Sequence, residues 1–111
     1  MAMPRGEEAA ARDFYGRLLG LPEITKPQAL AARGGLWFEC GPQQLHLGVE
    51  EDFRSAKKAH PAFVVDDLRA VARNLEADGY RVVNDSVQLK GCLRAFTEDP
   101  FGNRVELIQV T

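Results

Sequence analysis

Phe96-Thr97-Glu98-Asp99-Pro100-Phe101-Gly102-Asn103-Arg104-Val105-Glu106-Leu107 reads as a strand, a tight turn and a second strand. Asp99-Pro100 opens the turn, because the proline ring presets φ for it. Gly102-Asn103 tolerates the positive φ that a hairpin demands. In the strand that follows, Val105 and Leu107 are apolar while Arg104 and Glu106 fall on the other side. Carboxylates are rarely buried unless paired or bound to a metal. Glu106 is therefore read in two ways, as a residue of a wet face or as a metal ligand.

Working outward, the same pattern recurs. Residues 12–21 carry an apolar helical stripe of Phe14, Leu18, Leu19 and Leu21, with Gly20 suited to a helix end. The preceding Glu7-Glu8-Ala9-Ala10-Ala11 places acids in the first turn and strong helix formers after them. A second helix is expected over residues 67–78, with Leu68, Val71, Ala72 and Leu75 on one face, Asp66 or Asp67 as N-cap and Gly79 at its end. Strands are expected at 36–40 and 44–49 after the first helix, and at 80–83, 93–97 and around Glu106 after the second. Another, at 60–65, precedes the second helix. The second half thus reads β-α-β-β-β. The first half reads α-β-β-β, with Ala2-Met3-Pro4 left for an opening strand. Laying one half on the other places Leu45-His46-Leu47 over Val105-Glu106-Leu107, and Gly20 close to Gly79. Two such modules imply one domain built by duplication: module one 1–50, a charged linker 51–59 without periodicity, and module two 60–111.

Composition sets the class. A chain of 111 residues supports one core. With 45% hydrophobic and 27% charged residues it is an ordinary globular sequence. No apolar run reaches membrane-span length, and no apolar signal region opens the chain. Its 14 basic and 16 acidic residues, a formal charge of −2, argue against general nucleic-acid binding. Cys40 and Cys92 are too few for a disulfide scaffold and are expected as reduced thiols in a cytoplasmic protein. No phosphate loop, serine nucleophile elbow or Rossmann fingerprint is present.

If the duplicated sheet closes on itself, equivalent strand positions face one cavity. His46 and Glu106 then point inward, and His60, opening the second module, can converge on them. Two imidazoles and one carboxylate form a standard donor set for Zn, Fe(II), Mn, Co or Ni, with open positions for water and substrate. Each of these residues also has a plainer reading, as a hydrogen-bonded or surface side chain. The counterpart of His60 falls at or just before Met1, where the chain has no His or acid. Either the protein does without this ligand or the natural beginning lies upstream. Arg94 and Phe96 share a strand face. Arg94 is read as an anchor for an anionic substrate or as an exposed strand residue. Trp37 and Phe38 alternate faces, so one of them is expected to meet the cavity. Phe14 and Tyr15 are read as core, and Arg54, Lys57 and Lys58 as a solvated loop or the cover of a cavity mouth. Leu36, Trp37 and Phe38 are consecutive and apolar, more than one small sheet is expected to bury, which points to a homodimer.

Three segments then resemble the vicinal oxygen chelate superfamily, the group of glyoxalase I, bleomycin resistance proteins, fosfomycin resistance enzymes and extradiol dioxygenases. They are Phe14-Tyr15-Gly16-Arg17-Leu18-Leu19-Gly20-Leu21, His60-Pro61-Ala62-Phe63-Val64-Val65-Asp66-Asp67-Leu68 and 98–107. The resemblance implies an α+β fold of two βαβββ modules forming a cupped mixed sheet around a cavity, commonly dimeric, with the first strand short here. It implies metal ligands at His46, His60 and Glu106, with Glu106 also the catalytic residue, and ligand contacts from Trp37, Arg94 and Phe96. The fourth family position, on the first strand, has no match. The implied function is small-molecule binding, either in a metal-dependent lyase, dioxygenase or thiol transferase, or in a metal-free drug-sequestering protein of the bleomycin-resistance type. No nucleic-acid or membrane partner is implied.

Overall fold

The computed structural model describes residues 1–87 and 89–111, in which the chain forms two compact units, Met1–Ser55 and Ala56–Thr111. The division falls inside the segment read as a linker.

The first unit runs β1 (Ala2–Met3), α1 (Glu8–Ala11), a π-helical stretch Arg12–Leu18, β2 (Glu23–Ile24), α2 (Gln28–Ala31), β3 (Leu36–Cys40) and β4 (Gln43–Val49). Its four strands lie in the order β1-β4-β3-β2, with β1 parallel to β4 and the other pairs antiparallel. The second unit runs β5 (Ala62–Val64), α3 (Leu68–Ala77), β6 (Val83–Asn84), β7 (Cys92–Glu98) and β8 (Arg104–Val110). Its order is β5-β8-β7-β6, again with only the first pair parallel. The two sheets therefore share one topology. Their registers also agree: Ile24, Trp37 and His46 form a row across the first sheet, and Val83, Phe96 and Glu106 form the matching row across the second.

Each sheet packs one face on its helix. In the first unit Ala11, Phe14, Tyr15 and Leu18 are buried, at the i, i+3, i+4, i+7 spacing of one helix face. The Phe14 and Tyr15 rings meet edge to face at 4.9 Å, and Tyr15 lies 6.0 Å from Phe38. Leu19 and Leu21, expected on the same stripe, are only half-buried. The widened helical turn is the reason: the Leu19 amide donates to the Phe14 carbonyl, five residues back, which rotates the side chains beyond it. In the second unit Phe63, Leu68, Leu75, Ala95, Val105 and Leu107 form the core. Asp67 caps α3, its Oδ1 accepting from the Ala70 amide at 3.1 Å.

Three expectations change. The strand read at 80–83 pairs only as Val83–Asn84, and that at 60–65 only as Ala62–Val64. β2 and α2 carry no strong sequence signal, being two and four residues long. Leu36 and Phe38 are both buried under the helical layer of the first unit, so the run 36–38 does not leave an apolar surface for a partner; only Trp37 turns to the other face.

The turn after β7 explains its own sequence. The Asp99 carboxylate accepts from the amides of Phe101 and Asn103, each at 2.9 Å, and from Asn103 Nδ2 at 3.0 Å. Pro100, between them, has no amide to satisfy. Gly102 sits at φ +83°. Asn103 Oδ1 accepts from the Ala56 amide at 2.9 Å, which fixes the start of the second unit on its last hairpin.

Candidate functional site

Alternation along β7 and β8 sorts their side chains. Ala95, Thr97, Val105 and Leu107 turn to the core and are buried. Arg94, Phe96, Arg104 and Glu106 share the opposite face, where a charged residue is expected to be wet. Glu106 is not: its side chain is 9% exposed.

The neighbours of Glu106 account for this. Arg94 Nε donates to Oε2 at 3.0 Å, and His60 Nε2 lies 2.9 Å from Oε1. Arg94 reaches a second carboxylate through Nη1, 2.9 Å from Asp85 Oδ2. His60 Nδ1 lies 2.8 Å from the Lys58 carbonyl. A carbonyl and an ionised carboxylate both only accept, so a His60 ring nitrogen that carries hydrogen donates to the partner it faces. Arg94 is thus the hub of an Asp85–Arg94–Glu106–His60 chain within the second unit. The hydrogen bond from Arg94 holds the Glu106 carboxyl below the usual carboxylate range. The His60 contact acts in the same direction, and burial opposes both. The Arg94 guanidinium is reciprocally held above its ordinary value by Glu106. This carboxylate is ionised at neutral pH, with the Arg94 guanidinium as its counter-charge.

The register partner of Glu106 in the first unit is a different arrangement. His46 stacks flat on Trp37, ring centroids 3.8 Å apart with parallel planes, and its Nε2 lies 2.8 Å from Gln44 Oε1. An amide oxygen accepts, so that nitrogen carries the hydrogen and offers no lone pair there. His60, Arg94, Phe96 and Glu106 are brought together in the second unit, and Trp37 and His46 meet each other in the first. Among the described residues no group of three or more His, Cys, Asp or Glu is placed to hold a metal ion. The donor chemistry agrees. Both oxygens of Glu106 are engaged by cationic or N–H partners, and a dication bound to it would sit beside the Arg94 guanidinium. As arranged, this set does not suit a divalent ion.

Phe96 joins the chain to a cavity. Its ring meets His60 edge to face at 5.5 Å, and the Arg104 guanidinium lies over it at 4.1 Å. Beside it opens a cavity of about 490 Å³, lined by Lys57, Tyr80, Arg81, Val83, Phe96 and Arg104 among others. Asp85, Arg81 and Arg104 were not singled out by the sequence. Arg104 could have been, since it lies two residues before Glu106 on the same strand face. Asp85 could not, because its meeting with Arg94 depends on how β6 pairs with β7. Lys57, read as a solvated residue or a cavity cover, lines the cavity wall.

Comparison with known proteins follows the same lines. The profile of the Glyoxalase/Bleomycin resistance protein/Dioxygenase superfamily matches residues 1–107. Among solved structures, a Bacillus anthracis protein assigned to the glyoxalase family is 44% identical with a TM-score of 0.91, covering 99% of this chain and 89% of that one. A lactoylglutathione lyase from Agrobacterium tumefaciens is 23% identical (TM-score 0.72, covering 98% and 90%). An antibiotic binding protein from a Streptomyces species is 21% identical (TM-score 0.69, covering 100% and 93%). These last two share the fold. No curated protein matches significantly.

Proposed function

The chain belongs to the glyoxalase/bleomycin resistance protein/dioxygenase superfamily, and within it we propose a metal-independent small-molecule-binding protein whose ligand sits against Phe96 in the second unit. The observation that carries this reading is the neutralised carboxylate. In metal-dependent members, the position of Glu106 is expected to give its charge to an ion. Here Arg94 supplies positive charge and a hydrogen bond from the protein itself, and His60 lies within hydrogen-bond distance of the other oxygen. A carboxylate already balanced by a guanidinium 3.0 Å away gains less from a dication than a free one does, and the dication is repelled by that guanidinium. The cavity beside Phe96 has the size of a small-ligand site, about 300–1,000 Å³. That the fold also serves an antibiotic binding protein agrees with sequestration.

In this reading Arg94, Glu106 and His60 form the stiff floor of the site, and Phe96 presents its ring to the ligand. Trp37 provides a second aromatic surface in the first unit. A homodimer belongs to the same proposal. It is supported by Val64 and Val110, which are 71% and 68% exposed on the Glu106 face of β5 and β8.

The test is calorimetric titration of chelator-treated protein with a panel of aromatic ligands, beside a zinc titration. Ligand binding that persists without metal, lost in Phe96→Ala and kept in His46→Ala, is expected. Stoichiometric zinc uptake that is abolished by Glu106→Gln would overturn the reading in favour of a metal enzyme.

A further inference from the structure

We infer that the ligand of the Phe96 cavity is a planar aromatic anion, a carboxylate in the first instance; this rests on the binding role proposed above and names its chemical class. The cavity wall carries three cations, Lys57, Arg81 and Arg104, and two carboxylates, Glu98 and Asp99. Their partners differ. Asp99 is 4% exposed and already accepts three hydrogen bonds from its own turn. Glu98 pairs with Lys57, whose Nζ lies 3.5 Å from Oε2 and also donates to the Gly102 carbonyl. Both acids are thus accounted for, and one of the cations with them. Arg81 and Arg104 are left on the wall with no carboxylate partner among the described residues.

Arg104 is the more telling of the two. It is half-buried, and its guanidinium lies over the Phe96 ring at 4.1 Å. Stacking uses the flat face of a guanidinium and leaves its edge N–H groups free to take a carboxylate in bidentate fashion. Its cross-strand neighbour is Glu98, an acid that could have neutralised it but is turned to Lys57 instead. The site therefore presents a preset, ring-supported cation. Around it lie apolar and aromatic surfaces from Phe96, Val83 and Tyr80. A flat apolar body carrying one carboxylate satisfies both halves. A neutral aromatic satisfies one, and a small aliphatic anion satisfies the other.

The experiment compares 2-naphthoate with its neutral isostere 2-naphthamide by calorimetry at 150 mM salt, in wild type, Arg104→Met, Glu98→Gln and Phe96→Ala. Methionine keeps an apolar stem over Phe96 while removing the charge, and circular dichroism verifies the fold of each variant. The charge-assisted contact is expected to favour naphthoate over naphthamide by about tenfold or more. Arg104→Met should erase that ratio while leaving naphthamide affinity within about twofold. Glu98→Gln should raise naphthoate affinity, because it removes the nearest competing anion. Equal affinities in wild type, or a ratio that survives Arg104→Met, overturns the inference. If naphthamide binds as well as naphthoate and Phe96→Ala weakens both, the binding role stands and only the anionic class falls. Naphthoate binding that needs added zinc removes both, since the anion would then be resting on the ion.

Discussion

At the scale of single residues, Glu106 decides most. Its charge is held by Arg94 and His60 on a face that would otherwise be wet. Replacing it by Gln keeps the shape but removes the negative charge between Arg94 and His60 and leaves one acceptor oxygen where there were two. Arg94 then keeps Asp85 as its carboxylate partner, and one of the two contacts is lost. The expected loss is about 2 kcal/mol, measured by urea unfolding followed by circular dichroism. The pH dependence follows from the direction of its shift. The folded carboxyl binds its proton less readily than the unfolded one, whose ordinary value is 4.5, so the unfolded state takes up more protons in acid. The stabilisation is complete above that value and disappears as pH falls through the lower, folded one. Urea midpoints of wild type should therefore drop more steeply than those of Glu106→Gln below about pH 4.5. Parallel profiles would show that the carboxylate is not held as the geometry implies.

At the scale of elements, the β7–β8 hairpin and the β3–β4 hairpin are set by different constraints. The first depends on side chains. Asn103 is 1% exposed, and its amide bridges Asp99 to the Ala56 backbone. Asn103→Ala leaves the Ala56 amide and the Asp99 carboxylate short of partners, and should cost about 2–3 kcal/mol in the same unfolding assay. The second depends on space. Gly35, entering β3, has φ +86°, and a Cβ there would meet the Leu47 carbonyl oxygen at 2.1 Å, with backbone on both sides of the clash. Gly35→Ala should cost about 3 kcal/mol or more, against about 1 kcal/mol for a glycine substituted only against its dihedral preference. A loss near the smaller figure would mean that the β3–β4 pairing gives way easily.

At the scale of the whole molecule, the chain is two units that repeat one topology. The two halves keep the same strand order and the same cross-strand rows, yet place different chemistry at the equivalent position, a Trp37–His46 stack in one and a Phe96–Glu106–Arg94 cluster in the other. The exposed valines at 64 and 110 lie on the Glu106 face of the second sheet, whereas Leu36 and Phe38 are buried. If a second copy covers them, light scattering at micromolar concentration should give a dimer mass and Val64→Glu should reduce it to a monomer. A monomeric wild type would remove the dimer from the proposal.

Much of this architecture was legible in the chain itself. Period-2 and period-3.6 patterns are local, so the long strands around His46, Phe96 and Glu106 and the helix over 68–77 follow from neighbouring residues alone. The repeat, the Asp99–Asn103 turn and the three family-like segments are equally local, and they lead to the fold that the family profile and the solved relatives share. The short elements were not legible, because two paired residues in β2 or β6 leave no period to read. Nor were the partners of the site residues. His60, Arg94 and Glu106 could be named from the sequence, but whether Glu106 faces an ion or a guanidinium depends on which side chains arrive within about 3 Å of it. That is set by the register of β7 on β8, by β6 bringing Asp85 to Arg94, and by the Lys58 carbonyl orienting His60. These are contacts between residues far apart in the chain, and charge balance in a half-buried site is a property of that assembled neighbourhood rather than of any one residue.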